Sequence, residues 1–258
     1  MGNELVKYDQ KDAISIITIN RFDAMNAFNA ELRSELYAAI KRAASDQSIK
    51  VVVLTGEGRS FSAGADLKAI EASDDVEEVL QKEYRPIFEI ITSMRQPIIA
   101  AVGGSAAGIG MSCALACDLL IMADDAFLLS PFTTISLVPD GGLNWLLVNQ
   151  LGYRRALQLS IESERIDAAR CVELGLANKS VSSALLLEEA LEWAERLAQR
   201  APLSVFATKK VMRFAAANDW AQTYDMEVAL NIGLRASADH AEGVAAFLEK
   251  RKANFEGK

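Results

Sequence analysis

The chain has 258 residues, of which 51% are hydrophobic and 24% charged, a balance that fits a globular protein and suffices for one large domain or one domain with an extension. A net charge of -8 argues against a nucleic-acid or anionic-membrane surface, although local Lys/Arg clusters can still meet a phosphorylated ligand. No apolar run reaches the roughly 18–20 residues that span a bilayer. The start at Met1–Lys7 lacks the apolar core of a signal peptide, and Val6 stands where a myristoylation signal needs Ser or Thr, so a cytoplasmic location is expected.

Cys113, Cys117 and Cys171 make an odd count without framework spacing, as in a reducing compartment. Cys113 and Cys117 fall four apart on a predicted helix. A metal site needs more ligands, and the one histidine, His240, lies far along the chain, so the three cysteines read as buried small hydrophobes.

Leu5–Tyr8 and Ile14–Asn20 read as strands joined by a turn over Asp9–Ala13. Arg21–Phe28 reads as a loop. Asn29 then caps a helix to about Ala44, with Leu32, Leu36, Ile40 and Ala43 on one face. Val51–Leu54 is a short, wholly apolar strand of the kind covered on both faces. A Gly/Ala/Ser loop runs from it to Asp66, and a helix begins over Leu67–Glu71. The acidic stretch Ala72–Glu78 reads as a surface loop or as a pocket lid. Val76–Met94 is largely helical and stops at Pro97. The strand Ile98–Val102 enters a second Gly/Ala/Ser loop, and Ile109–Ala116 forms a small-residue helix suited to close packing. Leu119–Ala123 and Phe127–Leu129 are strands around Asp124–Asp125. Ser130–Gly142 leads to an apolar helix, Leu143–Leu151. Asp167 caps a further helix that Gly175 ends, and Val181 marks the last strand. From about Leu185 to Phe247 the pattern is helical, punctuated by Pro202 and His240. The chain therefore reads as an α/β core over residues 1–195 and a helical region over 196–258, of the sort that docks on another subunit.

Each Gly/Ala/Ser loop follows a buried strand and opens a helix. Small residues let backbone N–H groups approach a ligand, and a helix start supplies unpaired donors at the positive end of a dipole. Two such corners side by side can aim two N–H groups at one oxygen and stabilise an oxyanion. Two tight turns that only pack are the alternative. Neither loop matches G-x-G-x-x-G, since Cys113 stands at the sixth position after Gly108 and Gly110, and no G-x-x-x-x-G-K-[ST] or G-x-S-x-G occurs. His240, alone in the helical tail, reads as a surface or capping residue rather than a triad partner.

Four motifs, in order along nearly the whole chain, resemble the enoyl-CoA hydratase/isomerase (crotonase) family. Phe61-Ser-Ala-Gly-Ala-Asp-Leu-Lys68 is similar to its first signature, and Pro97–Met111 running on to Asp118 is similar to its second. Arg21-Phe-Asp-Ala-Met-Asn-Ala27 is similar to its early CoA-contacting loop, and Ala246-Phe-Leu-Glu-Lys-Arg251 to its C-terminal tail. The resemblance implies an α/β fold, a crotonase-like spiral of repeated β-β-α turns with a C-terminal helical trimerisation region. It implies an acyl-CoA thioester as ligand and a homo-oligomer built as a trimer or a dimer of trimers. No metal or redox cofactor is implied, CoA arriving as part of the substrate. By the same resemblance, the backbone N–H groups of Ala65 and Ile109 form an oxyanion hole, and Ala24, Ala63, Ala65, Asp66, Leu67 and Lys68 contact CoA. Lys68, Arg21 and Lys250 serve its phosphates, Lys250 from a neighbouring subunit, with Phe247 flanking the CoA in the same way. As ordinary residues, each Lys or Arg is a solvated charge and Phe247 is tail packing.

Family hydratases use two glutamates. Here Ser112 occupies the first position and Phe132, just after Pro131, the second, and neither can act as a carboxylate base. One acid, Asp140 in Leu137-Val-Pro-Asp-Gly-Gly142, stands where family members that shift double bonds or rearrange rings carry a single Asp or Glu. The stretch is similar to the isomerases of phenylacetate degradation and to Δ3,Δ2-enoyl-CoA isomerases. The resemblance thus implies an enoyl-CoA isomerase with Asp140 as proton shuttle, its pKa raised in an apolar pocket of Phe132, Leu137, Val138 and Trp145. Pro-Asp-Gly-Gly is also good N-cap chemistry, so a helix cap is the alternative for Asp140. Asp66 takes a structural or CoA-side place, and Asp74, Asp75 and Glu78 are weaker candidates. Hydration with rearranged acids, thioester hydrolysis, dehalogenation and non-catalytic acyl-CoA binding are the other functions the pattern admits.

Overall fold

Val51–Gly56 (β3), Ile98–Val102 (β5) and Leu119–Ala123 (β7) lie side by side in parallel, and nearly all their side chains are buried. Unbroken apolar strands require cover on both faces, and these have it. The computed structural model describes residues 4–69 and 75–258. Ile14–Ile19 (β2) joins β3 in parallel, Val6–Lys11 (β1) pairs antiparallel with β2, and Lys179–Val181 (β10) joins β7 in parallel. The six strands take the order β1-β2-β3-β5-β7-β10. The first hairpin is tighter than expected: β1 continues to Lys11, and the turn is made at Asp12, whose φ is 51°.

Of the second sheet, only the strand Phe127–Leu129 is expected from the residues. Ser60–Ser62 (β4), Ser105–Ala107 (β6), Phe127–Leu129 (β8) and Ile166–Asp167 (β9) form four strands in that order. Strands of two or three residues, two of them rich in Ser and Ala, carry no legible period. They are held by tertiary contacts such as the Ser60 Oγ donating to the Ser105 carbonyl at 3.0 Å. The two sheets together give the spiral of β-β-α turns. Each turn adds one strand to each sheet and then a helix: β3–β4 and a helical run, β5–β6 and α4 (Ile109–Ala116), β7–β8 and α5 (Leu143–Leu151). The helical run comprises α2 (Val76–Glu78), a π-helical stretch (Val79–Tyr84) and α3 (Arg85–Ser93).

α1 (Ala30–Ser45) starts where Asn29 accepts from the Leu32 N–H, and its Leu32, Leu36, Ile40 and Ala43 are buried as the pattern predicts. α6 (Tyr153–Glu162) was not anticipated, whereas α7 (Ala168–Glu173) is capped by Asp167 as expected. The helix expected over Leu67–Glu71 begins only as a turn, with the Ala69 N–H donating to the Asp66 carbonyl at 3.0 Å. Residues 70–74, which hold Asp74 and the first part of the lid candidate, and residues 1–3 with the amino-terminal signal positions lie outside the described residues.

α8 (Leu186–Ala198) packs across β3, β5 and β7 and runs past position 195. α9 (Pro202–Ala215), α10 (Trp220–Arg235) and α11 (Ala238–Glu249) complete the tail. His240 lies exposed in the first turn of α11, its N–H on the Ser237 hydroxyl. One charge cluster pins α9 to the core. Asp118 accepts from Lys209 and Arg213, each at 2.7 Å, and from the Ile98 N–H at 2.9 Å. Lys209 also donates to the Ile91 and Gln96 carbonyls, and Arg213 to that of Ala116. The Lys209 and Asp118 side chains are 6% and 14% exposed, so removing one partner leaves poorly hydrated charge behind. Asp118→Asn is expected to lower the unfolding free energy by about 3 kcal/mol in urea titration. A loss under about 1 kcal/mol would place the cluster among solvent-screened pairs.

Candidate active site

The two glycine corners touch. Gly64 has φ 96° and Gly108 φ 54°, a region that disfavours L side chains. A Cβ on Gly64 would fall 2.8 Å from the Ala107 carbonyl oxygen and 3.5 Å from the Gly108 Cα, and one on Gly108 would fall 3.8 Å from the Gly64 Cα. The residues that follow are Ala65 and Ile109. The Ile109 N–H opens α4 and so has no acceptor within the helix. Beside Ala65, the Phe28 N–H donates to the Gly64 carbonyl (2.7 Å) and the Asp66 N–H to the Phe28 carbonyl (3.1 Å), which leaves the intervening Ala65 N–H turned away from Phe28. Among the described residues neither amide donates a hydrogen bond. Two unused donors at touching corners, one of them at a helix N-terminus, suit a developing oxyanion.

Ser112 ties Asp140 to this place. It is wholly buried on α4, and its Oγ lies 2.9 Å from the Asp140 carbonyl oxygen and 3.4 Å from that of Gly108. Gly141 closes the turn, because a Cβ there would fall 2.7 Å from the Phe88 ring and 2.9 Å from the Ser112 Cβ. Phe132 is buried beside Gly108. The Asp140 carboxylate caps no helix. α5 is entered from Gly142 without a side-chain cap, the Leu143 N–H takes the Asp140 main-chain carbonyl at 3.1 Å, and Asp140 Oδ1 is buried with no hydrogen-bond partner among the described residues. Burial pushes the Asp140 pKa from its ordinary 3.8 up to about 6, opposed more weakly by its own N–H.

Asp140 borders a cleft of about 450 Å³ whose apolar walls are Leu80, Tyr84, Phe88, Trp145 and Leu146. The expected apolar pocket therefore exists but is built differently. Trp145 lines it, whereas the buried Phe132 and the exposed Leu137 and Val138 lie outside its walls. Leu80, Tyr84 and Phe88 replace them, from the helical run before β5. Their i, i+4 spacing is legible in the sequence, but its apposition to the Asp140 turn is set by the fold. Of the weaker acids, Asp75 caps α2 through the Glu78 N–H and Glu78 pairs with Lys82.

Residues 21–28 and 63–68 form one unit around Asn26, a residue that sequence reasoning passed over. Asn26 is wholly buried; its Nδ2 donates to the Glu57 and Ser60 carbonyls, and its Oδ1 accepts from the Arg21 N–H. The Ala63 N–H donates to the Met25 carbonyl. Arg21 binds Asp66 at 2.7 Å and the Ala27 carbonyl at 2.9 Å. Burial alone would raise the Asp66 pKa, but hydrogen bonds from Arg21 and the Lys68 N–H hold it below the ordinary carboxylate range. Arg21, Ala24, Ala63, Ala65, Asp66, Leu67 and Lys68 are thus gathered, with Leu67 and Lys68 exposed. Phe247 and Lys250 sit apart at the end of α11, Phe247 83% exposed, and no hydrogen bond or ion pair among the described residues joins them to this unit.

Among the described residues no group of three His, Cys, Asp or Glu is placed to hold a metal ion, and no helix is long and apolar enough to cross a membrane. The cysteines are free and buried, and burial pushes the Cys113 and Cys171 thiols up to about 12. A family model described as enoyl-CoA hydratase/isomerase matches residues 9–258. The chain belongs to the enoyl-CoA hydratase/isomerase family. It is 37% identical to a probable enoyl-CoA hydratase of Rhodobacter capsulatus, with 100% of both chains covered. It is 32% identical to the 2,3-dehydroadipyl-CoA hydratase of Escherichia coli, again with 100% of each covered, and 31% identical to that organism's 1,2-epoxyphenylacetyl-CoA isomerase, with 99% of each covered. The crystal structure of an enoyl-CoA hydratase from Bacillus anthracis matches with a TM-score of 0.94 at 32% identity, covering 99% of this chain and 100% of that one. The spiral is therefore the crotonase fold, and the protein is an acyl-CoA enzyme of this family. In it, Ser112→Ala removes a buried donor and leaves the Asp140 carbonyl without that partner. The substitution is expected to lower stability by about 1–3 kcal/mol in denaturant titration, and an unchanged midpoint would mean that Phe88 packing alone holds the turn.

Proposed function

We propose that this family member shifts the double bond of an enoyl-CoA, with Asp140 as the single proton carrier. The supporting observation is the carboxylate itself: Oδ1 is buried without a partner among the described residues, beside an apolar cleft, with a pKa pushed up to about 6. Ser112 and Phe132 leave no second acid at the two glutamate positions to activate water. In this reading the thioester oxygen of a 3-enoyl-CoA rests on the Ala65 and Ile109 amides. Asp140 removes a proton from the carbon next to the carbonyl, and the C–H electron pair enters a dienolate whose charge sits on that oxygen. The same carboxyl returns the proton to the far end of the dienolate. The double bond then lies next to the carbonyl and Asp140 is ionised again, with nothing consumed. A donor lost from such a hole typically costs about 10²–10³ in rate.

The gathered residues 21–24 and 63–68 form the CoA side of this site, with Arg21 acting through Asp66 and Lys68 meeting phosphate. Phe247 and Lys250 serve the CoA of a neighbouring subunit, in a trimer or dimer of trimers assembled through the helical region. CoA enters as part of the substrate, with no resident cofactor, in the cytoplasm. The isomerase name of one Escherichia coli relative supports the reading. The hydratase names of the others favour a second one, water addition with Asp140 handling both protons.

Incubation with a trans-3-enoyl-CoA and with crotonyl-CoA separates the two. The expected result is a 2-enoyl-CoA from the first and no 3-hydroxyacyl-CoA from the second; hydration without migration would overturn the isomerase. Asp140→Asn is expected to lower kcat by about 10²–10⁴. Because a base works ionised, wild-type kcat/KM should rise with pH through about 6, and the variant should lose that limb. The stability effect has the opposite sense. A folded-state pKa above the unfolded 3.8 means that the native state loses stability as pH rises through about 6. Asp140→Asn should therefore be more stable than wild type at about pH 8, by about 2 kcal/mol once solvent screening is allowed for, with the gain vanishing in acid.

A further inference from the structure

Tyr84 is a buried polar residue that lines the Asp140 cleft, and the double-bond shift does not use it. It ends the π-helical stretch, which follows α2 and leads into α3, and it is 5% exposed. Its ring packs edge-on against Phe28 at 6.2 Å between centroids, and Phe28 carries the two hydrogen bonds that hold the Ala65 corner. Tyr84 also lines the cleft with Asp140. Tyr84 thus packs on the residue that holds the Ala65 corner and lines the same cleft as Asp140.

The phenol oxygen is already addressed from one side. Arg33, fixed by Glu83 at 2.7 Å and by the Phe28 carbonyl at 3.3 Å, approaches it at 3.4 Å and stands 4.9 Å over the ring. Arg33 can only donate, so the phenol oxygen accepts there and its own proton points elsewhere. Among the described residues that proton meets no acceptor, the Asp140 carboxylate included. Burial pushes the phenol pKa up to about 12 against the opposing pull of Arg33, so it stays a donor at working pH.

Among the described residues the Tyr84 O–H has no acceptor and Asp140 Oδ1 no donor, and these two groups, on residues that line one cleft, do not satisfy each other. A buried polar group left unpaired is costly, so a fitting ligand has to answer both. For Asp140 the answer is the acidic C–H of the acyl group. We propose that Tyr84 is a specificity-determining residue that donates a hydrogen bond to an oxygen carried by the acyl group, so that the preferred substrates are oxygenated acyl-CoA thioesters rather than plain hydrocarbon chains. This rests on the double-bond-shift reading for the role of Asp140, but not for the pairing of Tyr84. Sites built to hydrogen-bond a substrate oxygen discriminate against analogues lacking it more sharply than apolar pockets discriminate by size.

The test compares 3-hexenoyl-CoA with a set of 3-enoyl-CoA thioesters carrying one ether or keto oxygen at successive positions beyond the double bond, on wild type and Tyr84→Phe. Binding of the corresponding saturated thioesters is measured by calorimetry alongside. The phenylalanine keeps the ring, and an unchanged thermal midpoint checks the fold. The expected result is that at least one oxygenated chain exceeds the hydrocarbon in kcat/KM by about tenfold or more, and that Tyr84→Phe brings the ratio between the two close to one. The inference is overturned if no oxygenated chain is preferred. It is equally overturned if Tyr84→Phe slows all substrates alike and moves the pH midpoint, since the phenol would then serve Asp140. If wild type moves no double bond at all, the reaction proposed above fails, and the binding preference of the saturated thioesters still decides the role of Tyr84.

Discussion

The approach of two backbone corners, Gly64 against Gly108, is the constraint on which the site depends. Any side chain at Gly64 would run into the Ala107 carbonyl, so the first two turns of the spiral that carry a glycine corner can stack only if that position is bare. The same contact brings together the corners that carry the Ala65 and Ile109 amides, which have no acceptor among the described residues, one because its strand bridge uses its neighbours and the other because it opens a helix. Close packing and donor alignment are thus one event. The small residues of the loops serve both, which is why side-chain chemistry is nearly absent from this half of the site.

The other half is electrostatic and is governed by desolvation. Asp140 sits on a turn clamped by Ser112 and Phe88, with its main chain bonded and its carboxylate not. Ser112 has a role that a glutamate there would not fill in the same way: it holds the backbone of the acid instead of supplying an acid. A carboxylate with no partner in an apolar wall destabilises the native state, and in the proposed reaction the same raised pKa makes it a better base, the usual tension between stability and activity. Tyr84 adds to this a hydroxyl proton with no acceptor among the described residues, where Asp140 is an acceptor without a donor.

Away from the site, the helical tail is joined to the core by charge as well as by apolar packing. Asp118 gathers Lys209 and Arg213 at the end of α4, so the helix that carries Ser112 and Ile109 is buttressed from the tail. α10 keeps Trp220, Tyr224, Val228 and Ile232 exposed along one helical row, an apolar stripe that the single chain does not cover.

What the sequence determined by itself is local. Unbroken apolar runs made β3, β5 and β7 legible, since a strand buried on both faces has no polar side to hide. Asn29 and Asp167 marked helix starts because their side chains bond the next turn, and the glycine corners marked close backbone approach because few other residues allow it. Asp140 stood out by its position, but whether its carboxylate capped α5 or faced a cleft was open until the Leu143 N–H was found on its main-chain oxygen. The second sheet, the Ser112 hydrogen bond and the Tyr84–Phe88 wall were decided only by tertiary structure. Their residues are ordinary in their own segments, and their meaning comes from partners dozens of residues away, which no local period or propensity encodes.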